Sequence, residues 1–242
     1  ISYNTHVYKL RKVEMIMRLS NMRVRDGFTL AEVLITLGII GVVAAMTMPT
    51  LMNSTQGAQY KAAYKKALSA ISQAVTLNVA LDDWNLADST AASTCAYPSN
   101  SIAALFNSRM NIVRCESGAF KGSDGTSNYA VSGKAGGVGG TAQTTTGTAN
   151  NITLFFNDGI MFTFPANNTA CTQDETKSGG PCYGFIDVNG VKAPNKFVKC
   201  DNSGAAGDNC QSKSPTDVYP VVFYDQTILP SSVAARAVLY AK

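Results

Sequence analysis

Gly27-Phe28-Thr29-Leu30-Ala31-Glu32, continued by VLITLGIIGVVAAMTMP from Val33 to Pro49, is the stretch on which the reading of this chain turns. No charged side chain occurs between Glu32 and Lys61, and Val33–Met48 is apolar apart from Thr36, Thr47 and two glycines. Counted from Phe28, that is enough helix to cross a bilayer's hydrocarbon core, which takes about 20 residues at about 1.5 Å each. Arg18, Arg23 and Arg25 stand before the span and no basic residue follows until Lys61. The positive-inside bias therefore keeps the N-terminal side cytoplasmic and sends the rest outward. A secretory signal peptide fits poorly, because its small-residue cleavage site would have to lie beyond the apolar run, whereas Ala44-Ala45 lies inside it. Glu32 argues against both a signal peptide and a plain anchor. A carboxylate near the bilayer centre costs about 2.5–3.5 kcal/mol, less near an interface, so it usually has a partner or a role.

Working outward, the charge is unevenly placed. Residues 1–27 hold Lys9, Arg11, Lys12, Arg18, Arg23 and Arg25 against Glu14 and Asp26, which accounts for the whole formal charge of +4. Residues 28–242 are balanced, so no electrostatic case for nucleic-acid binding exists, since that affinity comes from Lys and Arg neutralising phosphates. The one histidine, His6, also precedes Gly27. A chain starting at Phe28 has no imidazole for Ser-His-Asp or Cys-His catalysis or for His-ligated zinc.

Six cysteines, Cys95, Cys115, Cys171, Cys182, Cys200 and Cys210, all fall in the outward part, an even number where disulfides form. No C-x-x-C pair suggests a thiolate metal site. Many connectivities are open; sequential pairing (95–115, 171–182, 200–210) is preferred because short loops close most easily.

Gly27, Phe28 and Glu32 ahead of such a helix resemble the prepilin N-terminus shared by type IV pilins and type II secretion pseudopilins, from Asp26 to about Asn53. The resemblance implies that Gly27 ends a leader cut by a membrane-embedded prepilin peptidase, which also methylates the new amine on Phe28. Glu32 would pair with the N-terminal amine of a neighbouring subunit during assembly. Pro49 matches the family's helix-kinking proline, and Gly41 the glycine near which such helices loosen in filaments. Physical reasoning agrees residue by residue. Glycine lets a protease approach the backbone, a buried carboxylate and ammonium are tolerable only together, and proline cannot donate to the helix ladder. The stretch Met22-Arg-Val-Arg-Asp-Gly27 reads as a more typical leader, with Met15 or Met17 as other starts. Residues 1–21 then read as upstream sequence.

Beyond Gly57, Tyr60, Tyr64, Ala67, Leu68, Ile71, Val75 and Leu81 recur mostly at three- and four-residue steps, an amphipathic helix to about residue 81 whose stripe packs under a sheet. A membrane-surface helix is the rival reading. Residues 82–150 are weakly patterned and end in VSGKAGGVGGTAQTTTGTAN (131–150), read as a variable surface loop pinned by Cys95 and Cys115. Gly136–Gly140 lacks the Gly-Lys-Ser/Thr of a phosphate loop. Ile152-Thr-Leu-Phe-Phe, Asn157-Asp158-Gly159 and Ile160-Met-Phe-Thr-Phe form a hairpin. Tyr183–Val188 and Val218–Tyr224 are further strands, with turns at Asp187–Gly190 and Asp225-Gln226. FIDVNGVKAPNKF also resembles, more loosely, a recurring C-terminal segment of pilin-like proteins.

The expected fold class is α+β: a long N-terminal helix, spanning the membrane over 28–52 and amphipathic over 53–81, packed on a small C-terminal antiparallel sheet in 151–242. The cleaved leader is 1–27. No cofactor is expected. Asp187, Asn189, Asp201, Asp208 and Asp217 are oxygen donors of the kind calcium takes, as in some pseudopilins, but their spacing matches no calcium loop and turn formation is the plainer role. The expected function is a non-enzymatic filament subunit, pilin or pseudopilin, anchored in the inner membrane with its head outside the cytoplasm and later in a pilus or pseudopilus. Its implied partners are the prepilin peptidase, other pilin-like subunits, an inner-membrane assembly platform and membrane lipid. The alternative is a minor pilin acting as an adhesive tip module, for which an exposed aromatic patch including Trp84 would speak. A tethered hydrolase would depend on Asp82 and Asp83, which are adjacent and point apart.

Overall fold

The computed structural model describes residues 27–91, 94–118, 135–136, 142–143, 151–174, 180–200, 210–212 and 215–240. Residues 1–26 of the leader, with His6 and the candidate starts, as well as Asp201, Asp208 and most of the glycine-rich stretch 131–150, lie outside them. The chain divides into two compact units, one ending at Pro49 and one beginning at Thr50. A single helix, α1 (Leu30–Asp82, 53 residues), contributes to both.

The described part of the first unit is α1 up to Pro49, in which the large apolar side chains from Leu30 to Met48 are all exposed. With no packing partner, its helicity rests on internal hydrogen bonds. The Thr36 and Thr47 hydroxyls donate to the Val33 and Val43 carbonyls at 3.0 Å, so neither is left unsatisfied in an apolar medium.

In the second unit α1 turns amphipathic. Tyr64, Ala67, Leu68, Ile71, Ala74, Val75 and Asn78 are buried at three- and four-residue intervals. The helix ends where Asp83 takes φ +49°, a left-handed stop that Asp tolerates better than most residues. Asn78, inside the apolar stripe, is fully paired. Its amide donates to the Ala74 and Leu105 carbonyls (2.9 and 3.1 Å) and its oxygen accepts from the Ser108 hydroxyl (3.0 Å), fastening α1 to α2 (Ile102–Arg109).

The sheet has six antiparallel strands, each beside its predecessor: β1 (Ile112–Ser117), β2 (Asn151–Phe156), β3 (Met161–Pro165), β4 (Cys182–Asp187), β5 (Val218–Tyr224) and β6 (Thr227–Pro230). Helix α3 (Val233–Tyr240) follows. The β2–β3 hairpin turns at Asn157-Asp158-Gly159, with Gly159 at φ +84°, and the β5–β6 turn has Asp225 at φ +47°. Alternate residues Ile152, Leu154, Phe162, Phe164, Tyr219, Val221 and Phe223 join α1 in one core. Tyr64 stacks on Tyr219 with centroids 4.1 Å apart, and Phe162 meets Phe106, Phe164 and Phe223 at 5.2–5.8 Å. At the β3–β4 crossing a Cβ on Gly184 would sit 2.7 Å from the Thr163 carbonyl, so only glycine allows the approach.

Two features differ from the sequence reading. The opposite face of the sheet is also buried: Met161, Phe185, Phe197 and Val218 form a second cluster, and Thr153 and Thr163, register partners, share a buried hydrogen bond at 3.0 Å. Runs apolar at successive positions, such as MFTF, fit strands buried on both faces. Secondly, the stretch read as loop contains a 3₁₀ turn (Leu86–Asp88), α2 and β1. Buried Ile102, Ala103, Leu105 and Phe106 place α2 in the core, and Ser101 caps it, accepting from the Ala104 N–H at 3.1 Å. Eight residues are too few to show helical periodicity, and β1 is an edge strand broken by a bulge at Val113, so neither had a readable pattern.

Disulfides join Cys95 to Cys115, Cys171 to Cys182 and Cys200 to Cys210. The first ties a turn to β1, and the second is buried and fastens the start of β4 to Cys171.

Candidate functional site

The site is built at the start of α1. Gly27 to Thr29 precede the helix without regular structure, a Cβ on Gly27 would meet nothing within 4 Å, and Phe28 is 88% exposed. Both residues of the Gly27–Phe28 bond thus lie outside regular structure, and the Phe28 side chain is open to solvent. Two residues on, Thr29 and Glu32 form a capping box. The Thr29 hydroxyl accepts the Glu32 N–H at 3.2 Å, while the Glu32 carboxylate accepts the Thr29 N–H at 2.8 Å and its hydroxyl at 2.9 Å. Thr29 was not singled out in the sequence, although Thr-x-x-Glu before an apolar run is the signal that finds it.

Behind this cap the apolar 18-residue window of α1 has none of its residues buried. Gly38 and Gly41 are open on the helix surface, with nothing within 4 Å of an added Cβ. Gly41 and Pro49 both lie within α1, and Pro49, lacking an N–H, leaves the Ala45 carbonyl without its usual helical donor. Such a surface is stable only when something outside the subunit covers it, lipid or the helices of other copies.

Comparison with protein families bears on this same segment. Residues 22–48 match the family model described as the prokaryotic N-terminal methylation motif. The chain carries the prepilin-type signature. That motif is the mark of the processing undergone by type IV pilins and pseudopilins, and it contains Gly27, Phe28, Thr29, Glu32 and Gly41. The match ends one residue before Pro49. No curated protein and no solved structure matches the chain.

Other residues singled out in the sequence lie apart from this segment. Asp217 is buried, and its two oxygens accept the N–H groups of Asn195 (2.8 Å) and Lys196 (2.7 Å). Burial raises its carboxyl above the ordinary aspartate range, against the lowering pull of those N–H donors. Asp187 accepts the Asn189 N–H at 3.1 Å, and the Asn189 amide donates to the Tyr60 hydroxyl at 3.3 Å. These groups clasp the 187–196 loop to α1 and β5. Among the described residues no three His, Cys, Asp or Glu side chains gather as a metal would need. Asp82 pairs with Arg109, and Asp83 is the exposed helix stop, so the two carboxylates do not converge. Trp84 packs against the main core, so it supplies no exposed aromatic patch.

Proposed function

We propose that the chain is a structural filament subunit, made as a prepilin, cut between Gly27 and Phe28, methylated on Phe28 and assembled through its anchor helix. The observation that carries this reading is the methylation motif seated on a helix whose apolar surface is exposed throughout. Before assembly that surface lies in the inner membrane, with the disulfide-bonded unit outside the cytoplasm. In the filament, of pilus or pseudopilus type, the helices of neighbouring subunits replace the lipid. The partners are the prepilin peptidase, an assembly platform in the inner membrane and other pilin-like subunits. No catalytic step is assigned to the chain.

The capping box gives Glu32 a role in both states. In the free subunit Thr29 satisfies the carboxylate within its own chain. On assembly the ammonium of a neighbour's Phe28 offers a charged donor, worth more in a low-dielectric core than a neutral hydroxyl. An out-of-register neighbour leaves that exchange unmade. Gly41 and Pro49 are the positions where the helix yields as subunits pack.

The test is the mass of the intact protein from its native host's membranes, with and without reduction. A chain starting at methylated Phe28 that gains six protons on reduction supports the reading. A leader retained while the host's peptidase is active overturns it.

A further inference from the structure

Between α1, the end of α2 and the β2–β3 hairpin, the second unit contains a cavity of about 520 Å³ that takes no part in the anchor or its motif. Its floor is α1, where Ala67, Ala70 and Ala74 follow at three- and four-residue spacing and so share one face. Methyl groups leave that face shallow, and the cavity is the space that longer side chains would fill. Phe156 and Ile160 of the hairpin and Met110 at the end of α2 wall it. Ala67, Ala74, Phe156 and Ile160 all belong to the main core, so floor and walls are fixed by the packing of the unit itself. A concave, mainly apolar site of this size with a few polar groups is the form that small-molecule sites take.

The charged lining is cationic on balance. Lys66 and Asp158 pair with each other at 3.3 Å and cancel. Arg109 is left. Asp82, which does not line the cavity, holds its Nη2, whereas its Nε–H is buried and has no acceptor among the described residues. Buried donors are nearly always matched, so this one calls for an acceptor that the chain does not supply. A carboxylate beside Arg109 meets that need with a charge-assisted bond. The floor narrows the choice of what carries the carboxylate. The main-chain groups of a helix interior are bonded within the helix, so a peptide backbone lying on α1 would find few partners there, and an acyl chain needs none.

We propose that this cavity binds a medium-chain fatty acid. The acyl chain lies on the Ala67–Ala70–Ala74 floor against Phe156, Ile160 and Met110, and the carboxylate accepts the Arg109 Nε–H. The site belongs to the globular unit alone and does not depend on filament assembly.

The test uses the processed full chain in lipid nanodiscs and a photoreactive octanoate with a diazirine at the chain end, the labelled residues being mapped by mass spectrometry. Labelling should fall around the cavity, on Lys66–Leu77 and Arg109–Asn111 among others, and be displaced by octanoate but not by octylamine. Octanoate should also raise the melting temperature of the wild-type unit. Arg109→Lys keeps a cation for Asp82 but has no Nε–H, and Ala70→Leu fills the floor. Each should cut the displaceable labelling about tenfold or more. The three disulfides and the melting of the unliganded unit should stay close to wild type, which separates lost binding from lost folding. Labelling confined to Leu30–Met48 would mean partition into lipid, displacement by octylamine as well as by octanoate would mean that the carboxylate is not read, and undiminished labelling in both variants would mean another site; each overturns the proposal. An apolar tripeptide with a free C-terminus that displaces the label better than octanoate does would make this a peptide site, which overturns it too. A leader retained before Phe28 overturns the filament reading and leaves the result on this cavity unaffected.

Discussion

The two halves of α1 use the same kind of side chain for opposite ends. From Leu30 to Met48 the helix is apolar on every side and buries nothing; from Tyr64 to Asn78 it confines apolar groups to a stripe and buries all of it. The second half has its solvent built into the chain, in the sheet and α2. The first half has its solvent elsewhere, in lipid or in other copies. One helix thus joins a segment whose stability is intramolecular to one whose stability depends on its surroundings, which the filament-subunit reading proposed above requires.

The sharpest way to break this comparison is to truncate one large side chain in each region. Phe162 is fully buried among three other phenylalanine rings. Phe162→Ala should destabilise the globular unit by about 3–5 kcal/mol. Leu37→Ala, at a position 61% exposed, should change that unit by no more than about 0.5 kcal/mol. Denaturant melts of the processed protein in detergent micelles, followed by tyrosine absorbance, measure both. Equal effects would show that the first half packs within its own subunit. Next in size, removing the buried bridge with Cys171→Ala and Cys182→Ala should cost about 2–4 kcal/mol in the same melts. The anchor half contains no cysteine and has no such staple to lose.

How much of this was legible in the sequence follows from the range of each signal. The anchor, the amphipathic half and the hairpin at Asn157-Asp158-Gly159 announce themselves within a few neighbouring residues. The edge strand β1 and the eight-residue α2 do not, because burial of Ile102 and Phe106 depends on strands that come later in the chain. The burial of Asn78 and Asp217 has no local signal, since their partners, Leu105 and Ser108 for one, Asn195 and Lys196 for the other, are distant or unpatterned. Thr29 is the opposite case: its partner is three residues away and the signal stood in plain view. Thr29→Ala should loosen the start of α1 by about 1 kcal/mol, seen as faster amide exchange at Leu30 to Val33 in micelles. Melting of the globular unit should stay unchanged, which again separates the two halves.

The smallest expected effect is a change of slope rather than of level, and it sits on the buried side of the comparison. Asp217 carries a carboxyl whose value burial raises above 3.8, its ordinary one. An acid raised on folding holds its proton more tightly in the folded state. Its contribution to stability is therefore full below about 3.8 and is lost as pH rises through the higher folded value. Asp217→Asn removes the titration but keeps one oxygen to accept from Asn195 or Lys196. The difference in melting temperature, wild type minus variant, should therefore move in favour of the wild type as pH falls from neutral to below that ordinary value. Asp187, Tyr60 and Tyr219 lie near the same clasp but are common to both proteins, so the difference isolates Asp217. A difference that moves the other way would mean that the two N–H donors outweigh burial, and that the clasp holds a carboxylate the folded unit prefers charged.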